Sequence, residues 1–417
     1  MSVRNHFAEI LKLLDPEFQH VAKEKSSDKL ARLLSHTTIS TVFYRNFASL
    51  KLSDFPVIDK STIRENFNDF ISKNISPSQF IPVVTSGSTG TPFKTFQDKN
   101  KKKRNHADTI YFARLAGFEI GYRLIYLKIW AKAKMRHPIK YWLQNQVPVD
   151  VLHLTDARIE LLIKQMESDR STFGLLGYAS ALEVICQYLD RKNSGRIKSN
   201  VRSIISMSES LNDYTRLSLE KYFGVQAVAR YSNLENGIIA QQELDGSGRY
   251  LVNTASYHLE ILKMDTDEPQ QVGELGRIVV TDLYNYAMPI IRYDTGDVGA
   301  VETDPKRPGL LFLSKVEGRK LDLLYDTKGN LVSSYIPYKN MWQYTDIIQY
   351  QLIQEGPKEY TFKINAEKTF NREAQLVAEF KSFLGADANF RVEYVDEIPL
   401  LASGKRKKIV NNYKNPA

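Results

Sequence analysis

This chain has one cysteine in 417 residues, Cys186. A lone thiol excludes an intrachain disulfide framework and any metal site built on several cysteines, and it suits a reducing compartment. Cys186 itself reads as a small core residue. Long apolar runs are missing too. Nothing approaches the roughly 18 to 20 apolar residues needed to span a bilayer. In the opening stretch MSVRNHFAEILKLLDPEF, Glu9, Lys12 and Asp15 interrupt what would be the core of a signal peptide. Phe7, Ile10, Leu11 and Leu14 make that stretch an amphipathic helix instead, and the expectation is a cytoplasmic protein without a membrane span. The chain also lacks internal repeats, low-complexity tracts and a Walker loop. In VVTSGSTGTPFKTF, residues 83–96, Pro92 stands where a second glycine would follow Gly87, and no Lys-Ser/Thr pair comes after it.

What is present is ordinary in bulk and specific in places. A hydrophobic content of 42% and a charged content of 25% suit a soluble globular protein, and the length suggests two or three units with a large core. The net charge of +9 favours anionic partners without distinguishing nucleotide phosphates, nucleic acid or an acidic membrane surface. In the loop at 85–91, Gly87 and Gly90 permit close backbone approaches. The hydroxyls of Thr85, Ser86, Ser88 and Thr89, with the exposed amides, can face an anion; the alternative is a solvent-exposed turn.

Residues 1–75 read as helices, with a Ser61 or Thr62 cap inside FPVIDKSTIRENF. The glycine loop lies between two strand-like runs, FIPVV and FKTFQD, and the basic run KNKKKR then opens a helix. From about 125 to 255, β-like runs alternate with helical ones, the mark of an α/β sheet covered by helices. Strand-like segments from 257 to 315 suggest a smaller β unit. EGRKLDLLYDTKGN, residues 317–330, reads as a linker, and an α+β pattern follows it.

Four separated segments resemble, in order, the motifs of the adenylate-forming superfamily. They are TSGSTGTPF at 85–93, YSNLENG at 231–237, RYDTGD at 292–297 and ASGKRKK at 402–408. FPVIDKSTIRENF, LLGYASAL and IIQYQLIQE are similar to segments of its phenylacetate-CoA ligase and CapK-like branch. The resemblance runs from about residue 50 to residue 412. It implies an α/β fold with a large multi-sheet N-terminal domain (1–317), a hinge (318–322) and a small mobile α+β C-terminal domain (323–417). It also implies the chemistry. A carboxylate attacks the α-phosphorus of ATP to give an acyl-adenylate and pyrophosphate, and a nucleophile then takes the acyl group.

On that resemblance Thr85, Glu235 and Lys405 are the catalytic groups, with Glu235 holding Mg²⁺. Contacts to ATP fall to Thr85, Ser86, Gly87, Ser88, Thr89, Gly90 and Thr91, to Ser208 and Glu209, to Tyr231, Ser232 and Asn233, and to Asp297 and Arg319. The acyl pocket begins at Gly177, Tyr178 and Ala179. The residue types suit these roles. Asp297 can accept from two ribose hydroxyls, a single carboxylate such as Glu235 suffices for Mg²⁺ beside phosphate oxygens, and Lys405 offsets repulsion between two anions. Read without the resemblance, Asp297 sits in a hairpin turn, Glu235 is an exposed glutamate, Tyr231 packs at a strand end and Lys405 belongs to a solvated basic tail. Ser232 and Leu234 depart from the glycine and the Ser/Thr usual in the second motif. Lys320 and Asp322 both qualify as the hinge pivot.

The expected partners are ATP, Mg²⁺, a small carboxylate and an acceptor. The acceptor is the thiol of coenzyme A or, alternatively, an amine or sugar hydroxyl. A more distant alternative is a nucleic-acid-binding protein using KNKKKR and KRKK. Such surfaces interleave aromatics with basic residues, which both runs lack.

Overall fold

The computed structural model describes residues 1–47, 51–85, 93–130, 138–319, 324–332, 341, 344, 346–366, 370–399 and 408–413. The chain divides into two compact units. The first comprises Met1–Thr85, Pro92–Leu211 and Thr215–Val316, and the second is built chiefly from Glu317–Ala417.

The amphipathic start forms α1 (Val3–Leu13), capped by the Ser2 hydroxyl, and α2 (Gln19–Ser40) follows. Helix α3 (Lys60–Glu65) starts one residue before the expected caps. Asp59 caps it, its Oδ1 accepting from both the Thr62 amide and the Thr62 hydroxyl at 2.8 Å. Strands β1 (Ile81–Thr85) and β2 (Phe93–Gln97) pair antiparallel on either side of the glycine loop. Helix α4 (Lys99–Leu115) then begins at an Asp98 cap.

An eleven-stranded sheet organises the first unit. Its parallel part contains β3 (Arg123–Lys128), β4 (Gln146–Asp150), β5 (Phe173–Tyr178), β6 (Val201–Met207) and β7 (Ala227–Asn233). The helices are α5 (Pro138–Leu143) before β4, α6 (Asp156–Ser168) before β5, α7 (Ala179–Arg191) after it, and α8 (Asp213–Phe223) between β6 and β7. On α7, Leu182, Ile185, Cys186 and Leu189 recur at helical spacing and are buried. Burial pushes the Cys186 thiol up, so this cysteine is inert core, as its sequence context suggests.

After β7 the chain reverses. β8 (Gly237–Gln242), β9 (Tyr250–Val252), β10 (Tyr257–Leu262), β11 (Gly276–Asp282), β12 (Tyr293–Thr303) and β13 (Leu311–Arg319) extend the same sheet, giving the order β10-β11-β12-β13-β9-β8-β7-β6-β5-β3-β4. The separate β unit expected at 257–315 is therefore a continuation of the central sheet. An antiparallel β8 covers the edge that β7 would otherwise leave unpaired, β9 covers β8, and β13 rather than β10 covers β9.

Within the second unit, β14 (Leu324–Tyr325) pairs with β15 (Leu331–Val332). Of the stretch expected as a linker, 317–319 thus continue β13 and Leu324 is a fully buried strand residue, while 320–323 lie outside the described residues. A four-stranded sheet, β18 (Asn389–Tyr394), β17 (Glu359–Ala366), β16 (Ile347–Gln354) and β19 (Ile409–Asn411), packs against α9 (Glu373–Leu384). The contact is led by Phe362 and Phe380, whose rings meet edge to face at 4.7 Å.

Helix α4 joins the first unit through charge as well as apolar contact. Lys101, Arg104 and Asp108, at helical spacing, are all fully buried. Lys101 pairs with Asp282 at 2.8 Å and donates to the Tyr257 hydroxyl at 3.0 Å. Arg104 pairs with Glu9 of α1 and with Asp108. Two cations of the KNKKKR run therefore lie in the interior, committed to carboxylates, where no nucleic acid can reach them. Removing one member of such a pair strands the other. Lys101→Met is expected to lose about 3–5 kcal/mol of stability in chemical denaturation. The double variant Lys101→Met/Asp282→Leu should recover much of that loss.

Candidate active site

The carboxyl ends of the parallel strands β5, β6 and β7 lie side by side, where open α/β sheets place their ligands. Tyr178 closes β5, and Ala179 starts α7 immediately after it. Gly177 packs closely against β3: a Cβ there would stand 3.0 Å from Leu127 Cβ. Beyond β6, Ser208 takes φ = +71°, a strained conformation for a residue with a side chain. The Glu209 carboxylate accepts from the Ser180 amide at 2.9 Å, tying the turn after β6 to the first turn of α7. The residues expected at the adenine site and at the mouth of the acyl pocket thus adjoin one another.

Tyr231 projects from the end of β7 toward the start of β12. Its hydroxyl donates to Asp297 Oδ2 at 2.9 Å and lies 3.1 Å from Thr295 Oγ1. The Thr295 hydroxyl accepts from the Asp297 amide and donates to the Ile278 carbonyl. Gly296, at φ = +78°, forms the turn between them. Burial, reinforced by the Asp297 charge, holds the Tyr231 hydroxyl well above its ordinary pKa, so it remains a donor. The second and third sequence motifs therefore meet as Tyr231 and Asp297.

Glu235 is 2% exposed rather than a surface glutamate. Its Oε1 accepts from the Tyr293 hydroxyl at 2.7 Å and pairs with Lys60 Nζ at 3.1 Å. Burial, then the Glu235 charge, pushes the Tyr293 hydroxyl well up. The backbone on either side of this carboxylate is held from behind. The Gln97 amide nitrogen donates to the Glu235 carbonyl at 2.9 Å, and the Tyr257 hydroxyl donates to the Asn236 carbonyl at 2.7 Å. The Asn233 carboxamide caps the turn by accepting from the Asn236 amide at 2.8 Å. At Gly237, φ is +119° and a Cβ would meet Asn105 Oδ1 at 2.8 Å.

Lys60 is the residue that sequence reasoning missed, although it lies within the quoted entry segment FPVIDKSTIRENF. Ile58 bridges to Tyr293, exchanging hydrogen bonds with Arg292 and Asp294, and Arg292 also donates to the Phe55 carbonyl. These bonds bring residues 55–60 alongside β12, so that Lys60 reaches Glu235. The Lys60 ammonium also lies 5.5 Å from the Phe93 ring centroid, and Phe93 is the register partner of Thr85. Thr85 itself is half-buried at the end of β1. Ser86, Gly87, Ser88, Thr89, Gly90, Thr91 and Lys405 lie outside the described residues, and Arg319 is described in its backbone alone, as the last residue of β13.

Among the described residues no group of three or more His, Cys, Asp or Glu side chains is arranged to hold a metal. The fit to Mg²⁺ is of another kind. A magnesium ion carried with nucleotide phosphates takes one or two protein carboxylates and keeps several waters, and Glu235 supplies one such oxygen donor. Both contacts of that carboxylate use Oε1.

The raised hydroxyls have a direct consequence. Phenolate absorbance should increase on alkaline titration by the same amount in Tyr231→Phe as in the unaltered protein up to about pH 11, because an ordinary tyrosine ionises near pH 10 and Tyr231 does not. Tyr293→Phe should match in the same titration and lower stability by about 1.5–3 kcal/mol, the range for a hydrogen bond to a charged group.

The chain resembles known proteins in sequence and in fold. Residues 324–412 match the family model of the CapK C-terminal domain. The chain is 23% identical to Protein CapK of Staphylococcus aureus over 416 residues, covering 95% of this chain and 88% of that one. It is 28% identical over 119 residues to the phenylacetate-coenzyme A ligase of Pseudomonas putida, covering 28% of this chain and 27% of that one. Among solved structures it resembles 2-hydroxyisobutyryl-CoA ligase in the postadenylation state in complex with 2-HIB-AMP. The TM-score is 0.71 at 13% identity, over 94% of this chain and 90% of that one. It also resembles the anthranilate CoA ligase AuaEII in complex with anthranoyl-AMP, with a TM-score of 0.55 at 16% identity over 78% and 64% of the two chains. With a matched C-terminal domain and a relative aligned along almost its whole length, this chain is similar in sequence to CapK, and it shares the fold of the acyl-CoA ligases.

Proposed function

We propose that this protein is an ATP-dependent carboxylate ligase that forms an acyl-adenylate with release of pyrophosphate and passes the acyl group to the thiol of coenzyme A. The observation that carries the reading is the joining of Tyr231 to Asp297 beside the buried Glu235–Lys60 pair. One end of the sheet thereby offers a ribose acceptor, an aromatic face and a single metal-binding carboxylate.

In this reading a carboxylate oxygen of the substrate attacks the α-phosphorus of ATP, the α–β bridging bond breaks, and pyrophosphate leaves. Asp297 receives the ribose hydroxyls, oriented by the hydrogen bond from Tyr231. Tyr231 also presents its ring to adenine, with Ser208, Glu209, Ser232 and Asn233 around it. Glu235 would hold Mg²⁺, whose charge, when bound, would offset that of the phosphates. Lys60, already at the Glu235 carboxylate, adds a second positive charge there. Residues 85–91 supply amides and hydroxyls to the phosphates, Arg319 meets the nucleotide, and Lys405 brings a cation to the carboxylate and α-phosphate. Gly177, Tyr178 and Ala179 open the acyl pocket. The second half-reaction releases AMP as the thiolate sulfur takes the acyl carbon.

The decisive experiment is carboxylate-dependent ATP–pyrophosphate exchange across aromatic acids, fatty acids and amino acids. AMP and pyrophosphate are the expected products; ADP and phosphate would rule the reading out. Asp297→Ala should weaken ATP binding in calorimetry by about 1.5–3 kcal/mol, and unchanged affinity would remove Asp297 from the site. Lys405→Ala should abolish acyl-adenylate formation while sparing the use of supplied acyl-adenylate, and equal loss of both steps would contradict its role. Coenzyme A should accelerate AMP release. If an amine or sugar does so and coenzyme A does not, the product is an amide or ester.

A further inference from the structure

Arg230, immediately before Tyr231, is 9% exposed. Its Nε donates to Gln241 Oε1 at 2.8 Å, and the Gln241 amide nitrogen is itself committed to the Phe112 carbonyl. Nη2 of Arg230 is buried without a hydrogen-bond partner, and among the described residues no carboxylate pairs with this guanidinium. The other buried arginines of the sheet region are provided for. Arg104 has Glu9 and Asp108, and Arg292 has Glu260. A guanidinium offers five donors and loses several kcal/mol of hydration when buried, so one left with a single neutral acceptor is poised for an anion. Burial lowers its pKa to about 10, opposed only by the nearby Tyr126. At neutral pH the charge is therefore present and uncompensated.

The neighbours of Arg230 indicate where that anion would sit. Tyr178, Met207, Arg230 and Gln241 are register partners across β5, β6, β7 and β8, so their side chains share one face of the sheet. Tyr126 is on that face too, its hydroxyl 4.0 Å from Met207 Sδ. Tyr231 points to the opposite face, toward Asp297, because successive strand residues alternate. The group that reaches Arg230 is thus neither a nucleotide phosphate held on the Tyr231 side nor the carboxylate being activated beside that phosphate. On the Arg230 face the neighbouring strand β5 ends at Tyr178, one of the residues expected to open the acyl pocket.

We propose that Arg230 is a specificity-determining residue that binds a second, distal carboxylate of the acyl substrate, so that the enzyme activates dicarboxylic acids. The proposal rests on the ligase reading above and deepens it. The distal carboxylate would accept from Nη1 and Nη2, pairing the buried charge in a dry environment where such a pair is strong.

The test compares dicarboxylates of graded length, aliphatic and aromatic, with their isosteric monoamides in ATP–pyrophosphate exchange. The expected result is a preference in kcat/KM of about 13- to 160-fold for the dicarboxylate of best length, the range set by a hydrogen bond to a charged group. Arg230→Met should erase that preference with the KM for ATP unchanged, and Arg230→Lys should keep part of it. A merely structural arginine would alter both substrates alike. Equal rates for dicarboxylates and monoamides in the unaltered enzyme, or a preference surviving in Arg230→Met, would overturn the proposal and leave the ligase reading intact. A thermal-shift measurement without ATP separates the opposite case. If dicarboxylates but not monoamides raise the melting temperature of the unaltered protein, and not that of Arg230→Met, the anion site stands even where no acid supports exchange and the ligase reading falls. Should Arg230→Met fail to fold, the substrate comparison on the unaltered enzyme decides alone: a preference upholds the proposal and its absence overturns it.

Discussion

The ion pair of Lys101 with Asp282, sealed from water inside the first unit, is the constraint from which the site is built. Burial pushes the Asp282 carboxyl up against the opposing pull of Lys101, so neither charge is comfortable without the other. Geometry follows from that dependence. Lys101 also donates to Tyr257, and Tyr257 donates to the carbonyl of Asn236, the residue after Glu235. A helix that would otherwise carry a solvated basic run is thereby locked to β10 and to the end of β11, and through them to the turn that presents a carboxylate.

The turn itself is under electrostatic tension that the sheet alone does not relieve. A carboxylate as enclosed as Glu235 needs a cation and a donor, and it finds them in Lys60 and Tyr293, which come from parts of the chain far apart in sequence. The bridge between Ile58 and Tyr293 unites them, since it carries residues 55–60 along the start of β12. Arg230, one strand position before Tyr231, shows the contrary condition, a buried cation with no carboxylate partner among the described residues. At the end of β7 one negative centre is thus matched and one positive centre is left unmatched among the described residues.

Much of the fold is legible in residue order. The alternation of β-like and helical runs from 125 to 255 is the parallel half of the sheet, since apolar runs and amphipathic helices can be buried together in few other ways. The spacing on α7 and the start of α1 are equally direct. Less legible are the strands from 257 to 315, where short segments separated by Gly, Asp and Pro look self-contained; strand pairing is non-local, and sequence does not say which edge a strand will join. The burial of Lys101 and Arg104 inside KNKKKR is hidden for the same reason, because their partners Asp282 and Glu9 lie far off along the chain.

Of the site, the sequence alone determined the chemistry of its parts. A tyrosine and a glutamate four positions apart, an Asp closing RYDTGD and a loop rich in glycine and hydroxyls are local patterns, and each carries its capacity in the side chains themselves. Only the tertiary structure decided which of these groups meet and in what electrostatic state. It joined Tyr231 to Asp297, placed Lys60 on Glu235 and left Arg230 buried with no carboxylate beside it among the described residues. Pairing energies depend on distance and on the exclusion of water, and both are set by how strands far apart in the chain come to lie side by side.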